Sequence, residues 1–128
     1  MSFILDTSVA IHLRDKDPIV MSKINLLGDV FMLSIISRVE LEGGVYREPA
    51  LAAQRRSRLD IMLLGMPVLD FDAGAGDAYR GIIEAVGYSR RKLLDRMIAA
   101  QALVLDATLV TMNGDDFRDI PGLKLLAW

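Results

Sequence analysis

The chain has 128 residues and a formal net charge of -2, so it fits one domain and lacks the basic excess of a nonspecific nucleic-acid binder. With no Cys and only His12, it has no disulfide frame, thiolate nucleophile or His-rich metal site. Any metal must be held by oxygen, which points to Mg²⁺ or Mn²⁺. Hydrophobic residues make up 52% and mean hydropathy is +0.33, so some apolar surface is expected to be covered by another chain.

Ser2 to Leu5 reads as a short buried strand that ends at Asp6, and Thr7 to Leu13 as a helix. A buried carboxylate there asks for a helix N-terminus, a cation or a metal. The early acid also argues against a signal peptide, so a cytoplasmic protein is expected. Asp17-Pro18 opens a second helix through Leu27, with Pro at a tolerated first-turn position. Val30 to Ile36 is a second, nearly all-apolar strand, far short of the roughly 20 residues that cross a bilayer. Ser37 starts a helix to about Tyr46, and Ala50 to Leu64 is a long helix carrying Arg55, Arg56 and Arg58. Pro67 to Leu69 is a short strand, Asp72 opens a helix to about Val86, and Leu93 to Leu105 is an apolar helix. Thr108 to Thr111 and Leu123 to Leu126 are the last strands, separated by a turn at Asn113-Gly114. Continuous apolar strands alternating with helices predict an α/β fold of three layers around a parallel sheet. In such folds sites collect at the carboxyl ends of strands.

The acids sit near those ends, each with a plain structural alternative. Glu40 lies three residues after Ser37, the spacing of a capping box, and Glu42 reads as solvated. Asp95 can face the helix dipole, though the apolar helix behind it implies partial desolvation. Either Asp115 or Asp116 can cap the turn before Phe117, and Asp72 reads as an N-cap. Carboxylates gathered within about 4–5 Å repel by roughly 3–4 kcal/mol per pair at an effective dielectric near 20. A cation between them, or raised pKa values, makes that tolerable. Metal-assisted phosphodiester hydrolysis needs such a cluster. Ser8, beside Asp6, is placed to hold a metal-bound water or a phosphate oxygen.

The runs Phe3-Ile4-Leu5-Asp6-Thr7-Ser8, Ser34-Ile35-Ile36-Ser37-Arg38-Val39-Glu40-Leu41 and Asp95-Arg96-Met97-Ile98-Ala99-Ala100 resemble PIN-domain ribonucleases of the VapC toxin type. So do Leu109-Val110-Thr111-Met112-Asn113, Asp116-Phe117 and Ile120-Pro121-Gly122-Leu123, and the resemblance spans essentially the whole chain. It implies a PIN-like α/β/α fold and Mg²⁺- or Mn²⁺-dependent endoribonuclease activity. It also implies a homodimer neutralised by a cognate antitoxin. By position, Asp6, Glu40 and Asp95 match the family's metal-binding acids and Asp116 its less constant fourth, with Asp115 the competing choice. Ser8, Thr111 and Asn113 match polar residues lining the site. Met112 departs from the family's frequent Arg. Arg90-Arg91-Lys92 replaces a Gly/Pro-rich turn and is expected either to be solvated or to hold RNA phosphates. Arg55, Arg56 and Arg58 read as a solvated face or an antitoxin contact, and His12 as structural.

Three other readings remain. A phospho-acceptor receiver domain would use Asp70, Thr111 and Lys124, but it wants an acidic pair after the first strand, where only Asp6 stands. A non-enzymatic nucleic-acid partner would not keep Asp6, Glu40 and Asp95 together. A PIN nuclease outside any toxin system fits equally well. On electrostatics alone, Asp6→Asn and Asp95→Asn are each expected to leave the metal-free protein no less stable.

Overall fold

The computed structural model describes residues 1–128. Five strands form one parallel sheet in the order β3-β2-β1-β4-β5. They are β1 Ser2–Leu5, β2 Val30–Ser34, β3 Val68–Leu69, β4 Thr108–Thr111 and β5 Lys124–Ala127. The helices are α1 Thr7–Arg14, α2 Pro18–Leu27, α3 Ile35–Arg47, α4 Ala52–Gly65, α5 Ala73–Val86 and α6 Leu93–Leu105. A short 3₁₀ turn, Pro49–Leu51, precedes α4, and another, Gly114–Asp116, follows β4.

Alternation within β1 makes the three layers. Ile4 points to the face covered by α5 and α6, where it joins Ile82, Ile98, Ala99 and Leu109. Phe3 and Leu5 point to the other face, beside Val9 and Val20 of α1 and α2. A neighbouring cluster of Ala10, Leu33, Leu41, Val45 and Leu59 seats α1, α3 and α4 there. Both faces are thus covered, which is why the strands read as unbroken apolar runs.

The chain steps outward from β1 through β2 to β3, then crosses back to β4 on the other side. The loops after β1 and β4 therefore diverge, leaving a crevice at their carboxyl ends. Asp6 follows β1 and Thr111 ends β4, both at that crevice.

The second strand is shorter than its apolar run implied. It stops at Ser34, and Ile35 already begins α3. The reason is local: the Ser34 hydroxyl accepts the Ile36 N–H at 3.0 Å and caps the helix. That hydroxyl also donates to Gln101 Oε1, and the Gln101 amide donates to the carbonyls of Leu69 and Asp70, each at 3.1 Å. This buried polar knot binds β2, β3 and α6, so the one polar interruption of the apolar helix is a structural tie. With Ser34 as the cap, the Ser37–Glu40 capping box is ruled out; Ser37 lies buried inside the first turns of α3.

Gly114 is needed where the loop after β4 passes β5. A Cβ there would meet the Ala127 Cβ at 2.9 Å and the Arg118 guanidinium at 2.8 Å. The close approach fixes the path of the chain just before Asp116.

Candidate functional site

Asp6 is only 3% exposed, and the fold surrounds it with donors. Its Oδ1 accepts the Thr7 N–H at 2.8 Å, so it caps α1. Its Oδ2 accepts the hydroxyls of Ser8 and Thr111, both at 2.8 Å. Those two hydroxyl oxygens in turn accept backbone N–H groups after β4: Met112 to Ser8 at 3.2 Å and Asn113 to Thr111 at 3.0 Å. One carboxylate oxygen thereby fastens the end of β1 to the end of β4. Ser8 is committed to this hub, so the structure gives it the task of holding Asp6 rather than a water.

Thr7 ties Glu40 to the hub. Its hydroxyl donates to Glu40 Oε1 at 2.8 Å and lies 2.8 Å from Ser37 Oγ. A hydroxyl carries one proton, and a carboxylate only accepts, so Ser37 must donate to Thr7. The relay Ser37–Thr7–Glu40 orients an acid that is otherwise exposed. Thr7 and Ser37 went unassigned in the sequence, where each reads as one more helix-start hydroxyl.

The remaining acids face this hub across the crevice. Asp95, in the first turn of α6, is half-buried. Burial raises its pKa to about 6, with further upward pressure from the charges of Asp6, Asp116 and Glu40, while Arg91 opposes the shift. Four acids far apart in the chain thus share one electrostatic environment. Asp116 is half-buried and part of it, whereas the Asp115 side chain is 93% exposed and paired with Arg118. Geometry favours Asp116 as the fourth acid.

The site suits a hard divalent cation in kind. All its donors are oxygen, and the His12 Nδ1 is engaged at 2.8 Å with the Ser8 carbonyl. Asp6 uses three of its roughly four lone-pair positions, and Glu40 only one oxygen, so both keep capacity for an ion. No three of the carboxylates form a group already set to enclose an ion.

The nearby cations divide. Lys92 leans toward Asp119 at 3.9 Å, and the buried Arg96 holds the Gly87 carbonyl at 2.7 Å and Asp119 at 3.4 Å. These contacts pin the segment before α6 and leave Arg90 and Arg91 exposed, with Arg91 near enough for its charge to act on Asp95. Two of the three α4 arginines are paired within the fold, while Arg58 only reaches the Asp15 carbonyl at 3.5 Å. Arg56 grips Glu42 at 2.6 Å and Asp60 at 2.6 Å, and Arg55 reaches Glu48 at 3.2 Å. Glu42 is therefore not simply solvated: the Arg56 hydrogen bond holds its pKa below the ordinary carboxylate range. Asp72 caps α5 through the Ala75 N–H at 2.9 Å, as its position implied.

Comparison with known proteins gives a consistent result. A family model described as PIN domain matches residues 3–123. Ribonuclease VapC2 of Rickettsia felis is 31% identical over 134 residues, covering 100% of this chain and 98% of its own. The structure of VapBC2 from Rickettsia felis bound to a promoter DNA fragment matches with a TM-score of 0.86 and 30% identity, covering 100% of this chain and 99% of that one. DNA-bound VapBC from Salmonella typhimurium shares the fold, with a TM-score of 0.83 at 24% identity and coverage of 100% and 98%.

Proposed function

The chain belongs to the PIN-domain family, and on that premise we propose that it is a Mg²⁺- or Mn²⁺-dependent endoribonuclease, the toxin of a toxin–antitoxin pair. The observation that carries this reading is the convergence of Asp6, Glu40, Asp95 and Asp116 on one crevice, with the pKa of Asp95 raised by burial and by the other three. Those four acids would hold the ion. When bound, it supplies charge neutralisation at the phosphate and lowers the pKa of its water.

The chain's own residues do the arranging. Ser8 and Thr111 hold Asp6 in one orientation. Ser37 and Thr7 aim Glu40. Arg91 and Arg90, exposed in the segment before α6, offer charge-assisted hydrogen bonds to RNA phosphates. Asn113 lies exposed at the rim of the site, its backbone fixed by Thr111.

The toxin role rests on similarity to Ribonuclease VapC2 and to VapBC2 across the whole chain. A cognate antitoxin and a homodimer are part of the same proposal. Exposed Ile19, Leu26, Ile61 and Leu64 supply apolar surface for partner chains. A cytoplasmic location is part of the same proposal, following from the RNA substrate it names; no helix is long and apolar enough to cross a membrane.

The deciding assay is RNA cleavage with and without Mg²⁺, comparing the wild type with Asp6→Asn. Cleavage by the wild type in Mg²⁺ alone is expected. Activity that persists in EDTA and in the variant would end the metal-dependent reading.

A further inference from the structure

Helix α1 presents Thr7, Ile11 and Arg14 along one stripe, and α3 presents Glu40, Gly44 and Arg47 at the same helical spacing. The two stripes face each other. Thr7 and Glu40 are hydrogen-bonded at one end, and beyond them a cavity of about 310 Å³ runs between the helices toward Arg14 and Arg47.

Arg14 is an unusual residue to find there. Its side chain is 4% exposed, yet its guanidinium is only partly satisfied. Nε and Nη2 reach Asp15 at 3.0 and 3.3 Å, and Nη1 has no hydrogen-bond partner. Gly44 lies beside it: a Cβ there would stand 3.4 Å from that Nη1, in van der Waals contact. Arg55 borders the same cavity but is taken up by the Gly44 carbonyl at 3.0 Å and by Glu48. Arg47 is exposed at the mouth and makes neither a hydrogen bond nor an ion pair through its side chain. The Arg14 Nη1 is not sealed off: it opens on the cavity, where water or an anion can complete the guanidinium. The fork of an arginine suits a phosphate.

We propose that this groove holds a phosphate of the RNA strand next to the one being cleaved, gripped by Arg14 Nη1 and Arg47. The proposal rests on the nuclease reading and adds a substrate-positioning subsite on the Glu40 side of the crevice, opposite Arg90 and Arg91. The groove joins the acidic site through Thr7 and Glu40, so a strand lying across the acids enters it without leaving the protein surface.

The test is cleavage of a mixed-sequence single-stranded RNA in Mg²⁺, with binding of the same RNA followed by fluorescence anisotropy in EDTA over a salt series. Arg47→Gln alters an exposed, unpaired side chain, and Arg14→Lys keeps the charge but removes the fork. Each is expected to raise KM about tenfold with kcat within about twofold, the signature of lost substrate binding. Arg47→Gln should also reduce the salt slope of binding by about 0.7, the value for one phosphate contact on a single strand. A purely structural Arg14 would instead lower the melting temperature and kcat in Arg14→Lys and leave KM alone. Unchanged KM and slope in both variants, with an active wild type, would overturn the subsite and spare the nuclease. A wild type that neither binds nor cleaves RNA would overturn both.

Discussion

The crevice has two unlike halves. On one side Asp6 is buried and tied by Thr7, Ser8 and Thr111; on the other Asp95 and Asp116 are half-buried carboxylates with no hydrogen bond inside the chain. The first half stays in place through neutral donors whether or not a cation is present. The second makes no such bonds, and its carboxylate oxygens are free to take a ligand. Acids assigned one role can thus differ in physical state: Asp6 caps α1 and is hydrogen-bonded through both oxygens, and Asp95 is a partly desolvated charge.

Replacing the two acids by their amides is the sharpest way to break that comparison. Asp6→Asn should reduce cleavage by about a thousandfold, roughly 4 kcal/mol in the barrier. It should also destabilise the metal-free protein by about 1–2 kcal/mol, because an amide accepts through one oxygen where Asp6 uses both. The hydrogen bonds thus revise the expectation, from charge alone, of equal or greater stability. Denaturant melts in EDTA measure this; an unaltered midpoint would mean that the hub contributes nothing to stability.

Asp95→Asn should cost comparable activity and do the opposite to the fold. The folded pKa of Asp95, about 6, lies above its ordinary value of 3.8, so the folded state holds the proton more tightly. Its contribution to stability is full at pH below about 3.8 and is lost as pH rises through about 6. Metal-free wild type should therefore lose stability over that window relative to Asp95→Asn, and the variant should be the more stable of the two at pH 8. Parallel melting curves for both proteins from pH 4 to 8 would remove the desolvated-charge description.

Smaller effects separate the remaining residues. Asp116→Asn should lower cleavage by about tenfold or more. Thr7→Val removes the relay to Glu40 and should weaken Mg²⁺ binding about tenfold, read by calorimetry, since residues that orient ligands commonly carry that much. Asp115→Asn should change cleavage and stability by no more than about 0.5 kcal/mol, as an exposed pair usually does. A larger loss from Asp115→Asn than from Asp116→Asn would reverse the assignment of the fourth acid.

Much of this was legible in the sequence because it depends on local chemistry. Asp17-Pro18 at the head of α2, Asp72 before α5, and the apolar runs of β1 and β4 carry their own signals. The acids could be picked out because they follow strands or open helices. The end of β2 could not, because Val30 to Ile36 is uniformly apolar and only the Ser34 cap divides strand from helix. The relay through Thr7 and Ser37 and the tie from Ser34 to Gln101 were hidden for a different reason. They join residues 30 and 67 positions apart, and nothing local distinguishes those hydroxyls from ordinary ones. Likewise Arg55 and Arg56 look free in one dimension and are paired in three.

The bond from Thr111 to Asp6 spans 105 positions, and it bears on when activity can appear as well as where. A chain growing from its N-terminus has Asp6 and Glu40 early, but lacks the partner that locks Asp6 until β4 has been made and laid beside β1. Asp95 and Asp116 also belong to that late portion. A partly synthesised copy therefore lacks the assembled crevice, and any activity that depends on it has to wait until almost the last strand.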